Sequence, residues 1–340
     1  MNKKFITLFM LTMCLTASTF AQQGKSTPTK TAPKSSNAIS AADRDKANKM
    51  IMYTNSLQDF MSQYIPINTI SLPLNNYSES LQTESVYLNP ETLGENFKTV
   101  GEAITQYKND KGSNPTEPAA IIGAENQAFI KSKIVECSNL YEKIKSLNNS
   151  LKPYTQSDMI EKTNLPKVKS IVNEMYETLE KIYDVHEALY DRMDDIGMQA
   201  EAITLSNHPM KTEILDMKNV MNKSKKVFKL LAQSSPNEAK EKIQEIKSVE
   251  TQVHLIQNKY GENYSAEGAG KNNSIELRSA VKRFYEQVTN YYWHLEELMT
   301  ELEKNKIEKD EWSTQLNMQK GNYELMISEY NAFVSANNGE

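Results

Sequence analysis

The sequence predicts an all-α protein, an elongated bundle of long antiparallel, coiled-coil-like helices. Three observations carry this prediction. Apolar residues recur at alternating steps of three and four over tens of residues, the spacing of one helix face. No run alternates apolar and polar residues with the period of two that a half-buried strand needs. Gly and Pro number 11 each in 340 residues, too few for a turn-rich β architecture.

Residues 1–21 precede the helical pattern and read as a secretory signal. Lys3 and Lys4 form a basic start, Phe5 through Leu15 a short apolar stretch, and Thr19 and Ala21 the small residues that signal peptidase needs. Cleavage after Ala21 leaves Gln22 first. A lipoprotein signal would use Cys14, but Met13 stands where a small residue is wanted. Residues 22–40 are rich in Gln, Ser, Thr, Pro and Lys without apolar periodicity, the composition of a disordered tether.

The all-helical domain is expected over residues 41–340, with a division into sub-bundles 41–163 and 164–340. Ser40 is an N-cap candidate for a first helix that buries Ala47, Met50, Ile51, Thr54, Leu57, Met61 and Tyr64 and ends at Pro66. Residues 65–88 hold Pro66 and Pro73 and read as an irregular packed connection. Asn89-Pro90-Glu91 places Pro at a first helical position, opening a helix to about Lys108. A loop over 109–123 follows, containing the short apolar run 118–124. The next helix runs from Ala124 to Lys152 with Ile130, Ile134, Cys137, Tyr141, Ile144 and Leu151 on one face.

The most regular seam begins at Leu165. It continues through Val168, Val172, Met175, Leu179, Ile182, His186, Leu189, Met193, Ile196, Ala200 and Ile203. Its phase persists past Pro209 to Leu231, which favours a kinked rod, about 100 Å long at 1.5 Å per residue. Ser235-Pro236 opens a helix to about Asn258, and Gly261, Gly268 and Gly270 mark a loop. A second seam runs from Leu277 to Leu302 and keeps its phase to Phe333 through polar steps at Asn305, Lys309 and Gln319, the pattern of one rod of about 60 residues. Polar steps at His186, Asn207, Ser224 and Lys309 either fix helix register from inside or sit at bundle ends.

Composition narrows the chemistry. With 39 basic and 44 acidic side chains, the formal net charge is −5, which offers no footprint for nucleic acid. Removing residues 1–21 leaves Cys137 as the sole cysteine, so no intramolecular disulfide forms. No stretch after residue 21 is long and apolar enough to be read as a transmembrane helix. No Glu-x-x-His pair of a diiron bundle and no His-Glu-x-x-His is present. The nearest arrangements are Glu250 with His254, Asp184 near His186, and His294 with Glu297. His186 falls in its seam and reads as a core histidine bonded to a neighbour, His254 and His294 as solvent-facing, and His208 as a helix-end residue. Cys137 lies on an apolar face without a sequence-adjacent His, the setting of an inert thiol. Among the 17 tyrosines, those such as Tyr292, beside Trp293, either fill the bundle with their hydroxyls reaching water, the commoner case, or line a groove between helices. On this reading no residue is catalytic or cofactor-binding, and no metal ligand set is assigned.

Two patches, Lys46-Ala47-Asn48-Lys49-Met50-Ile51-Met52-Tyr53-Thr54-Asn55-Ser56-Leu57 and Tyr330-Asn331-Ala332-Phe333-Val334, resemble the YiiG-like bacterial lipoprotein family, whose function is unknown. The patches cover under a tenth of the chain, and the chain departs from the family in lacking a good lipidation cysteine. The resemblance implies export and helical architecture and brings no catalytic residues. The resulting expectation is an exported, non-enzymatic interaction or scaffold protein of the periplasm or cell surface. Its partner would be an unknown envelope protein or a second copy bound through the seams. The alternatives are an enzyme or metal-binding bundle with a site assembled from distant helices, and a membrane-active protein using the run at 118–124.

Overall fold

The structure is a computed structural model. It describes residues 40–82, 89–94, 97–155, 160, 162–206, 208–261, 275–307 and 309–338. The signal segment, the lipidation candidate Cys14, the tether up to residue 39, Asn207 and the glycines of the 262–274 loop lie outside the described residues. Every regular element among the described residues is helical, as the periodicity predicts. The chain divides between Thr204 and Leu205 into two units, not at 163/164. The physical reason is that the seam helix beginning at Leu165 is the central partner of the helices that precede it.

In the N-terminal unit the helices are α1 (Ala41–Gln63), α2 (Asn68–Gln82), α3 (Glu91–Gly94), α4 (Val100–Lys111), α5 (Ala124–Leu151) and α6 (Leu165–Thr204). Ser40 caps α1 as expected, its Oγ accepting the Asp43 N–H at 3.1 Å. α6 takes α1, α2 and α5 along its length. It is antiparallel to α5, since Asn126 meets Arg192, Cys137 meets His186, and Lys143 meets Glu174 in descending order. The face Ile130, Ile134, Cys137, Tyr141, Ile144, Leu151 is buried as the spacing requires.

Three expectations for this unit need correction. Residues 68–82 are a helix, not an irregular connection. Pro73 removes one backbone donor near its start, yet Ile70, Leu74, Tyr77 and Leu81 still bury one face. The helix predicted from Asn89 to Lys108 is two pieces. Thr99 starts α4 with a capping box, accepting from the Glu102 N–H while the Glu102 carboxylate accepts from Thr99 N–H at 2.8 Å. The apolar run at 118–124 is no free segment. Its 3₁₀ turn at Ala120–Ile122 packs on α1 and buries Ile122.

The C-terminal unit is an up-down-up-down four-helix bundle. Its members are α7 (Lys211–Ala232), α8 (Pro236–Glu241) leading into α9 (Ile243–Gln257), α10 (Ile275–Glu303) and α11 (Lys309–Asn338). Cross-contacts fix each direction. Lys223 meets Gln252 while Asp216 meets Lys259, so α9 reverses α7. Gln257 meets Thr289 while Lys247 meets Glu303, so α10 reverses α9. Arg283 meets Glu329 while Tyr291 rests on Tyr323, so α11 reverses α10. Tyr330 receives Lys218 over its ring, and Trp312 donates to the Ser234 carbonyl at 2.8 Å, closing α11 against α7.

Neither long rod is continuous. Helix α6 stops at Thr204 and α7 begins at Lys211. Pro209 offers no N–H and disfavours helical geometry at His208. The second seam reverses at Asn305, where Lys306 N–H reaches the Glu301 carbonyl and Asn305 N–H the Leu302 carbonyl. Asn305 takes φ 53°, so this is a Schellman turn with Asn in the left-handed position. Gln319, read as a polar step, is fully buried instead.

Candidate functional site

In each unit a buried polar centre contains residues singled out by sequence. In the N-terminal unit the antiparallel register of α5 and α6 brings His186 to Cys137. Cys137 Sγ lies 3.6 Å from His186 Nε2, and Tyr141 Oη lies 3.5 Å from the same nitrogen. Tyr141 donates to the Ile65 carbonyl at 2.8 Å, and its ring stacks on the imidazole at 6.1 Å. Cys137 is fully buried and His186 nearly so.

Burial, with Glu136 adding its charge, pushes the thiol up to about 12. Burial holds the imidazole down to about 3. A nucleophilic pair needs the reverse, a thiolate beside an imidazolium. The proton therefore stays on sulfur and the ring stays neutral. Nε2 serves either as acceptor for the thiol or as donor to the tyrosine oxygen, a core hydrogen-bond role. The sequence reading of His186 as a core histidine bonded to a neighbour fits this placement. Asp184 is exposed, separated from His186 by the two-residue step that turns it to another face.

In the C-terminal unit the centre is a polar layer halfway along the bundle. Ser224 of α7 is fully buried. Its carbonyl accepts the Tyr291 hydroxyl at 3.1 Å, and its Oγ lies 3.1 Å from the Tyr292 hydroxyl. Tyr292 thus fills the core, the first of its two readings, although its hydroxyl reaches Ser224 and not water. Ser224, like His186, sits inside its unit and not at an end, which is the register-setting alternative for a polar step.

Glu250 of α9 reaches into the same layer. It is 7% exposed and hydrogen-bonds across to Glu296 of α10. Burial first, and then the neighbouring Glu296 charge, push its carboxyl up to about 7. His254, one turn along, is half-buried with its ring edge toward Tyr292 at 5.9 Å. It therefore touches the layer and does not face solvent alone. His294 is half-buried too, with Nδ1 3.5 Å from Glu297 Oε2. His208 is the helix-end residue expected, its Nδ1 accepting the Met210 N–H at 3.1 Å in front of α7. Among the described residues, no three His, Cys, Asp or Glu side chains converge as a metal site would require.

Glu296 and Ser224 as partners of Glu250 and Tyr292 escaped sequence reading. The signal for Tyr292 was present, however. Ala280-Val281, Phe284-Tyr285, Tyr291-Tyr292 and Leu298-Met299 are adjacent apolar pairs, and they make a stripe wide enough to face two neighbours.

No protein-family model matches the chain, and no curated protein sequence does. Solved structures similar to it include two helical proteins. One is an α-helical protein from Bacteroides fragilis NCTC 9343, with TM-score 0.60 and 13% identity over 85% of this chain and 100% of that one. The other is an uncharacterized DUF3829-like protein from Bacteroides thetaiotaomicron VPI-5482, with TM-score 0.55 and 13% identity over 85% of this chain and 99% of that one. At such identities the likeness is one of fold, and it places the chain among all-helical proteins of this architecture.

Proposed function

We propose that the protein is an exported, non-enzymatic interaction or scaffold protein of the bacterial cell envelope, in keeping with its resemblance to the YiiG-like lipoproteins. The observation that carries this reading is Trp293. On α10 its neighbours Tyr291 and Tyr292 are buried in the bundle, while the indole stays 53% exposed. Leu255 of α9 is likewise exposed. A large aromatic held outside by a rigid helix is the side chain that most often anchors a protein partner. Cys137 and His186 support the non-enzymatic part, since both are buried with pKa shifts opposite to those of a catalytic pair. Export rests on the pattern of residues 1–21.

Cross-linking in intact cells, followed by mass spectrometry of the captured complex, tests the reading. The expected result is a chain starting at Gln22, joined to an envelope protein or to a second copy. Trp293→Ala should cut that capture about tenfold or more, as loss of an interface anchor does, while shifting stability by no more than about 0.5 kcal/mol. A chain retaining residues 1–21 in the cytosol, or capture indifferent to Trp293→Ala, sinks it.

A further inference from the structure

Glu250 is a carboxyl group in a place that the seam reserves for apolar side chains, between Ile246 and Val253 on the buried face of α9. Its Oε1 is buried without a hydrogen-bond partner, and the group bonds to Glu296 across the α9–α10 seam. Two carboxylates in hydrogen-bond contact have four acceptor lone-pair sites each and no donor, so the bond exists only with a proton between them. The same pair without that proton is a like-charge contact at the edge of the bundle core.

Of the surrounding charges, Lys247 pulls the Glu250 carboxyl back toward its ordinary range, but less than burial and Glu296 push it up. On α10, Tyr292 gives its hydroxyl to the Ser224 contact. On α9, Lys247 is 2.9 Å from Glu303, and His254 turns its ring to Tyr292. On α7, Lys223 is taken by Gln252, Asp216 by Lys259 and Tyr260, and Lys225, buried beside Ser224, has contacts of its own. On α8, Lys240 bonds the Glu303 carbonyl and the Asn305 side chain.

We propose that Glu250 and Glu296 form a proton-dependent clasp between α9 and α10, closed while the pair shares a proton and loosened when it is lost. The clasp is independent of any role for Trp293. The direction of its pH dependence follows from linkage. The folded protein keeps Glu250 protonated up to about 7, whereas the unfolded chain releases that proton near 4.5. Between those values the folded state binds more protons, so stability falls as pH rises through the window and levels off above it. Each pH unit inside the window lowers the folding equilibrium constant by up to about tenfold.

Glu250→Gln in the full chain tests this. The amide keeps the shape of the side chain and donates to the Glu296 carboxylate at every pH. Denaturant unfolding should show the ratio of wild-type to variant folding constants dropping about tenfold or more from pH 5 to pH 8. Hydrogen exchange over residues 243–257, corrected for the intrinsic pH effect, should accelerate in the same interval in the wild type alone. Glu296→Gln serves the same purpose if the first variant folds poorly, because it removes the repelling charge and should make the profile shallower than wild type, leaving only the part due to burial. Parallel profiles for wild type and variant from pH 5 to 8, or a carboxyl ¹³C titration of Glu250 with its midpoint below 5, overturn the clasp.

Discussion

Cys137 shows how far a single residue can be read from its neighbours in sequence. Ile134 and Tyr141 place it on a buried face, and it is buried. That His186, 49 residues away, ends 3.6 Å from its sulfur depends on the antiparallel register of α5 and α6, which no spacing within either helix encodes. The pairing matters for chemistry, because a Cys–His contact invites a nucleophilic reading. Burial overrules it by raising the thiol and lowering the imidazole, so both stay neutral. The expected outcome is native labelling by a thiol reagent at pH 8 that is at least about a hundredfold slower than in denaturant, where the thiol returns to its ordinary range. Equal rates in both conditions would mean that the α5 face opens readily and that the core assignment is wrong.

Helices, and the faces they bury, were the legible part of the fold at the scale of elements. Where they stop was legible ahead of prolines, as for α1 and α5, and not inside the long seams. The caps that succeeded, Ser40 and Ser235, carry their signal in side chains that reach the first turn. Ser235 even completes a capping box with Glu238. The stops that failed lie inside an unbroken heptad phase. Leu302 and Trp312 keep the seam's spacing although the chain reverses between them, because each half of a helical hairpin buries the same kind of stripe. The only local sign was Asn305 among charged residues, an amino acid that tolerates the left-handed region. Asn305→Ala should therefore destabilise the protein by about 1 kcal/mol, the strain of a Cβ-bearing residue without the Asn preference. Asn305→Gly should stay within about 0.5 kcal/mol of wild type. It relieves strain but loses the exposed 2.8 Å bond from Lys240, a contact worth little at the surface. Equal effects of the two substitutions in urea denaturation would show that the turn does not depend on its positive φ.

The whole chain was expected to divide before α6, where the most regular seam begins at Leu165. It divides after α6, because a long helix with apolar residues on several sides collects α1, α2 and α5 as partners. Burial of Ile171, Tyr176 and Val185 outside the single heptad line already widened that stripe. The polar centres were less legible than the division, since each joins side chains from separate helices. The C-terminal unit, by contrast, closes its core with its own residues. The cluster running from Leu205 and Met210 to Phe333 and Val334 lies wholly within 205–334 and includes all four helices of the bundle. A fragment of residues 205–340 is therefore expected to fold alone, with helical circular dichroism and a single cooperative thermal transition. Phe284, fully buried in that cluster, gives a sharper criterion. Phe284→Ala removes a ring packed within that cluster, so it should cost about 3–5 kcal/mol. The cost should be the same in the fragment and in the full chain, since additivity holds when the deleted contacts are all present in both. A fragment that melts without cooperativity and binds a hydrophobic dye would be a molten bundle. The apolar area enclosed by α7 to α11 would then be insufficient to specify a unique packing on its own.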